Sequence, residues 1–70
     1  MLHHKSKSSM FTSADYNPEE HILTITFNKG GSYDYLDVPI DVFNQLKESE
    51  SEGKFLLAHI KPKFKCEKQE

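Results

Sequence analysis

From His21 to Val38 a strictly alternating run meets a glycine turn and returns, a pattern that admits few folds other than a hairpin. Leu23, Ile25 and Phe27 fall on one face of a strand, and Thr24, Thr26 and Asn28 fall on the other. Asn28-Lys29-Gly30-Gly31 then turns the chain, and Ser32 to Val38 returns as a second strand. The length of the turn decides which way the returning side chains face. A three-residue loop with Gly30 in the left-handed region pairs Phe27 with Gly31, Ile25 with Tyr33 and Leu23 with Tyr35. A two-residue loop would set Asp34 against Ile25 and bury a carboxylate among apolar groups. That cost selects the first register. Tyr33 and Tyr35 then share the apolar face, while Asp34 looks outward beside Thr24.

Upstream, Ser9 to Asn17 has strand-like composition with weak alternation, and Asn17-Pro18-Glu19-Glu20 supplies a turn. Downstream, Pro39 ends the returning strand and suits the first turn of a helix. Ile40, Phe43 and Leu46 give that helix one short apolar stripe running to about Ser49, with Asp41 near its positive end. Ser51 and Gly53 break or recap the chain. Phe55, Leu56, Ala58, His59 and Ile60 then predict a second short helix, stopped by Pro62. The expected fold is α+β: a three-stranded antiparallel meander followed by two short helices packed on one face. Its expected core is Phe11, Leu23, Ile25, Phe27, Tyr33, Tyr35, Val38, Phe43, Leu46, Phe55, Leu56 and Ile60. Residues 1–8 carry no period and are expected to be a flexible lead-in, 9–65 a single domain, and 66–70 a frayed tail.

Seventy residues bury only a thin core, and the single cysteine, Cys66, has no partner for an intramolecular disulfide. A chain so small gains by pairing with a second copy, so a homodimer is among the expected assemblies. No apolar run approaches the length of a membrane span, and no signal-peptide core is present. The expectation is a soluble cytoplasmic protein without a membrane partner.

The charges are unevenly placed. Residues 37 to 52 hold Asp37, Asp41, Glu48, Glu50 and Glu52 against Lys47 alone, whereas Lys54 to Lys65 holds four lysines and no acid. Such asymmetry can mark a phosphate-tracking edge beside an acidic shoulder, although for runs this short two solvated faces are the ordinary reading. All the basic residues are lysine. Lysine neutralises phosphate as a point charge but lacks the planar fork that reads base edges, which argues against sequence-specific reading of duplex DNA.

Catalysis finds little support. No Cys–His pair, paired carboxylate or nucleophile motif stands out, so no catalytic residue is assigned and an enzyme is not expected. His3 and His4 on the lead-in, His21 beside Glu20 and His59 near Phe55 are scattered, and a metal site needs a cluster. No metal and no cofactor is expected. Lys29-Gly30-Gly31 is a hairpin turn rather than a phosphate-cradling strand-to-helix loop.

Taken together, Phe27-Asn-Lys-Gly30-Gly-Ser-Tyr33-Asp-Tyr35-Leu-Asp-Val38-Pro39, then Phe43 and Leu46, then Ser51-Glu-Gly53-Lys54-Phe55 and Ile60, resemble a KTSC domain. That family is named for the C-terminal domain of some lysyl-tRNA synthetases and also occurs as free-standing small proteins. Its marks are Tyr-x-Tyr followed by Val-Pro and a later Ser-x-Gly-Lys-aromatic step. The resemblance spans roughly Ser9 to Phe64. The chain departs from the family at Asp15-Tyr16-Asn17, where Gly-Tyr-Asp is common, and at Ala58, where asparagine is common. The resemblance implies an RNA-binding role.

Two readings of function follow. The first is a non-catalytic module for RNA or single-stranded nucleic acid, because such binders combine stacking aromatics with a basic track. Its residues are Lys54, Lys61, Lys63, Lys65, Tyr16, Tyr33 and Tyr35, although the hairpin register turns Tyr33 and Tyr35 towards the helices. The second is a protein-interaction module, an adaptor or inhibitor of the kind a phage or mobile element encodes. Its residues are Asp37, Asp41, Glu48, Glu50 and Glu52, with an exposed sheet edge as a further route to a protein partner.

Overall fold

The computed structural model describes residues 1–68. They form one antiparallel sheet of five strands, laid side by side in chain order, and two helices. The strands are β1 (Leu2–Lys5), β2 (Phe11–Asn17), β3 (Ile22–Phe27), β4 (Ser32–Tyr35) and β5 (Cys66–Lys68). Helix α1 spans Ile40–Glu48; α2 spans Glu52–Phe55 and runs directly into a π-helical turn, Leu56–Ile60. The α+β class is as expected, but the sheet has five strands rather than three. The two extra strands lie on segments read from sequence as lead-in and tail: β1 pairs with β2, and β5 pairs with β4. Of the expected tail, residues 69–70 lie outside the described residues.

The central hairpin has the register that the cost of burying Asp34 selects. Leu23 faces Tyr35, Ile25 faces Tyr33 and Thr24 faces Asp34. The Thr24 hydroxyl donates to Asp34 Oδ1 at 2.6 Å, on the face away from the core. Gly30 and Gly31 both take positive φ, at 105° and 84°, a conformation that side chains rarely adopt.

Strand β2 explains its own weak alternation. A bulge between Phe11 and Ser13 shifts the phase, so that Phe11, Ala14 and Tyr16 all face inward. The core joins these to Leu23, Ile25 and Tyr35 from the sheet, Val38 from the connection, and Phe43, Leu46, Leu56 and Ile60 from the helices. Tyr16 is fully buried, stacked 5.3 Å from Phe43, and its hydroxyl donates to the Val38 carbonyl at 2.6 Å. Three expected core residues, Phe27, Tyr33 and Phe55, are only half-buried. Ile40 begins the α1 stripe but lies outside the core, leaving Phe43 and Leu46 to anchor the helix.

The end of the second helix follows from Pro62. Proline lacks the N–H that would continue the ladder, and its ring crowds the carbonyl one turn back. The chain answers with a wider turn, in which Lys61 N–H reaches the Leu56 carbonyl at 2.8 Å. This turn carries Lys61 to the edge of the sheet where the hairpin ends.

Candidate functional site

At that edge an open groove of about 270 Å³ is lined by Phe27, Lys29, Gly30, Tyr33, Tyr35, Lys61 and Cys66. Each element contributes for a local reason. The register of β3 and β4 puts Phe27, Tyr33 and Tyr35 on the helix-side face, with Tyr35 in the core and Phe27 and Tyr33 packed half-buried against it. A Cβ added at Gly30 or Gly31 would meet nothing within 4 Å, so the hairpin loop is open at both positions. Strand β5 brings Cys66 opposite Tyr35 and Lys68 opposite Tyr33, so both share the face of the tyrosines. Lys61 arrives from the end of the π turn, and Lys29 from the hairpin loop.

Phe27 and Tyr33 meet edge to face, with centroids 5.5 Å apart and planes at 84°. Tyr35, almost wholly buried, belongs to the floor. Burial raises its hydroxyl pKa above the ordinary 10.0, and the neighbouring Cys66 and Tyr33 add to the effect. It therefore stays a hydrogen-bond donor at neutral pH. The Cys66 thiol is free and exposed. No carboxylate is among the lining residues. The groove thus offers ring surface, two ammonium groups, two hydroxyls and a thiol.

Of the residues expected to touch nucleic acid, the groove gathers Tyr33, Tyr35 and Lys61. Tyr16 must be withdrawn: its ring lies inside the core and its hydroxyl is engaged. Tyr35 has too little exposed surface to act as a stacking platform. Lys54, Lys63 and Lys65 are exposed but do not line the groove. Lys29, Phe27 and Cys66 were not foreseen as site residues. A signal existed for Phe27, since a ring paired across from Gly31 has no side chain directly opposite it on the returning strand.

The acidic shoulder also changes. Asp37, Asp41, Glu48 and Glu50 are exposed, but Glu52 is buried. Its carboxylate accepts from His4 Nε2 at 2.9 Å and from the Lys7 backbone N–H at 3.2 Å. This clasp ties β1 and the following loop to α2. His3 and His4, expected on a flexible lead-in, are both held, His3 by Asp15 and His4 by Glu52. Beside the clasp, a Cβ added at Gly53 would lie 2.8 Å from Ser8 Oγ. The Ser-Glu-Gly step is therefore where the N-terminal segment docks. Among the described residues no group of three or more His, Cys, Asp or Glu side chains is placed to hold a metal ion. No helix among them is long and apolar enough to cross a membrane.

On the face away from the helices, one row crosses the whole sheet: His3, Asp15, Thr24, Asp34 and Glu67. Three of its five members are carboxylates. Acid is thus concentrated on one face of the sheet, while the groove on the other face is lined by lysines and rings.

Comparison with known proteins gives a consistent result. A protein of Tsukamurella paurometabola is 41% identical over 60 residues, covering 86% of this chain and 90% of its own length. A lysine–tRNA ligase of Nostoc is 33% identical over 63 residues, which is 90% of this chain but 11% of that enzyme. The crystal structure of a KTSC domain protein from Yersinia pestis superposes with a TM-score of 0.93 at 33% identity, covering 99% of this chain and 97% of the other. The family model of the KTSC domain matches residues 7–64, and the chain belongs to that family.

Proposed function

We propose that this protein is a small non-catalytic module that binds single-stranded nucleic acid, RNA foremost, through the groove between the β3–β4 hairpin, the π turn and β5. The observation that carries the reading is the lining itself, in which half-exposed Phe27 and Tyr33 stand between Lys29 and Lys61 with no carboxylate among them. Rings that stack and lysines that neutralise phosphate are the two parts such binding needs. The relative that is a lysine–tRNA ligase, an enzyme whose name gives tRNA as its substrate, adds support from its company. Because the cations are lysines, affinity comes mainly from the backbone and varies little with sequence.

Fluorescence anisotropy with single-stranded RNA, single-stranded DNA and duplex tests the reading. Single strands should bind more tightly than duplex. The Lys29→Gln/Lys61→Gln variant should lose most of the affinity, and Lys65→Gln little. Equal loss from Lys65→Gln would move the site out of the groove to the wider lysine track. An absence of binding even at low salt would turn attention to a protein partner, met by Asp37, Asp41, Glu48 and Glu50 or by the outer edge of β1.

A further inference from the structure

We infer that the groove receives one unpaired base with its flanking phosphates, so that its ligand is a single extruded or terminal nucleotide rather than a run of single strand. The inference rests on the nucleic-acid reading above and narrows it. Proteins that track a strand offer successive parallel platforms and sites several nucleotides long. Here Phe27 and Tyr33 stand nearly perpendicular, at 84°, and form a corner. A base lying flat on one ring is nearly perpendicular to the other and presents only its own edge to it, which leaves no second platform beside it. The volume agrees: about 270 Å³ falls just below the roughly 300–1,000 Å³ typical of small-molecule sites.

Charge limits the ligand in the same way. Lys29 and Lys61 flank the corner from the hairpin loop and from the π turn, and Lys68 stands opposite Tyr33. A strand leaving the groove around the sheet edge would meet Glu67, Asp34 and Asp15 on the reverse face. Like charge would repel its phosphates there. At the floor, the Tyr35 hydroxyl and the Cys66 thiol supply hydrogen-bonding groups for the edge of a base.

The test is competition against a labelled oligouridylate decamer. The competitors are unlabelled decamer, the 5′-phosphorylated dinucleotide pUpU, a perfect RNA hairpin, and the same hairpin carrying one bulged uridine. The dinucleotide should compete within about threefold of the decamer, and the bulge should improve the hairpin about tenfold, as expected for one stacked base. Either ligand should slow alkylation of Cys66. Tyr33→Ala should weaken the bulged hairpin about tenfold and Tyr33→Phe should not. Lys29→Gln, on an exposed loop, should weaken it even if Tyr33→Ala fails to fold. Affinity that climbs tenfold or more from dinucleotide to decamer would overturn the single-base site while leaving the functional reading intact. A bulge without effect would do the same. A decamer that does not bind at low salt would overturn both.

Discussion

Gly53 shows how a single position can be set by residues far along the chain. Replacing a helical glycine with alanine ordinarily stabilises by roughly 0.5–1 kcal/mol. Here the added Cβ would sit 2.8 Å from Ser8 Oγ, which accepts the Met10 N–H at 3.0 Å. Gly53→Ala should therefore give none of that gain in the native chain, and should recover it in a Ser8→Ala background. A double-mutant cycle on thermal melts reads the difference. The tyrosines make a second prediction. Burial raises the hydroxyl pKa of both Tyr16 and Tyr35 above 10.0. The folded state then holds these protons more tightly than the unfolded chain does. Their contribution is complete below pH 10.0 and is lost as pH rises through the elevated values. Tyrosinate absorbance should appear together with loss of structure in alkali, and Tyr16→Phe should reduce that coupling. Residue-scale features of this kind were the least legible in the sequence. Glu52 looks like any surface acid, because the groups that satisfy it lie more than forty residues away.

Among the elements, the β3–β4 hairpin was readable because a misplaced carboxylate is costly, and α1 because Phe43 and Leu46 fall on one stripe. Strand β2 was readable only as a strand. Its bulge inverts the phase and hid Tyr16, whose neighbours gave no cue to burial. Strands β1 and β5 escaped altogether. They are short and largely exposed, and the backbone ladder rather than apolar side chains holds them to the sheet. For β1 the Glu52 clasp adds to the ladder, so residues 2–5 should matter to stability. Removing residues 2–5 breaks the pairing with β2 and leaves Glu52 without its His4 partner. An unsatisfied buried acceptor costs about 1–3 kcal/mol. The truncated protein should melt some 4–8 °C lower for each kcal/mol lost, as checked by calorimetry. An unchanged melting temperature would return this segment to the status of a lead-in.

The whole molecule is small and tight. Its radius of gyration is 10.6 Å, against about 11 Å expected for a compact chain of this length. At this scale the division of charge between the two sides of the sheet becomes a measurable quantity. Each phosphate neutralised on a single strand contributes about −0.7 to the slope of log affinity against log salt. A ligand held by Lys29 and Lys61 should therefore give a slope near −1.4. A strand lying along Lys54, Lys61, Lys63 and Lys65 would double it. Titrations across a range of potassium chloride concentrations distinguish the two, and Lys29→Gln should flatten the slope by about 0.7. The candidate site was thus half legible: Tyr33, Tyr35 and Lys61 were foreseen, but Lys29, Phe27 and Cys66 were not, because their meeting place depends on a hairpin loop, a widened turn and an edge strand.

Because the strands lie in strict chain order, the two ends of the sheet are also the two ends of the chain's path. Four inter-strand steps separate β1 from β5, about 19 Å across the sheet. A unit with such distant ends cannot be spliced into a tight loop of a host protein without pulling that loop apart.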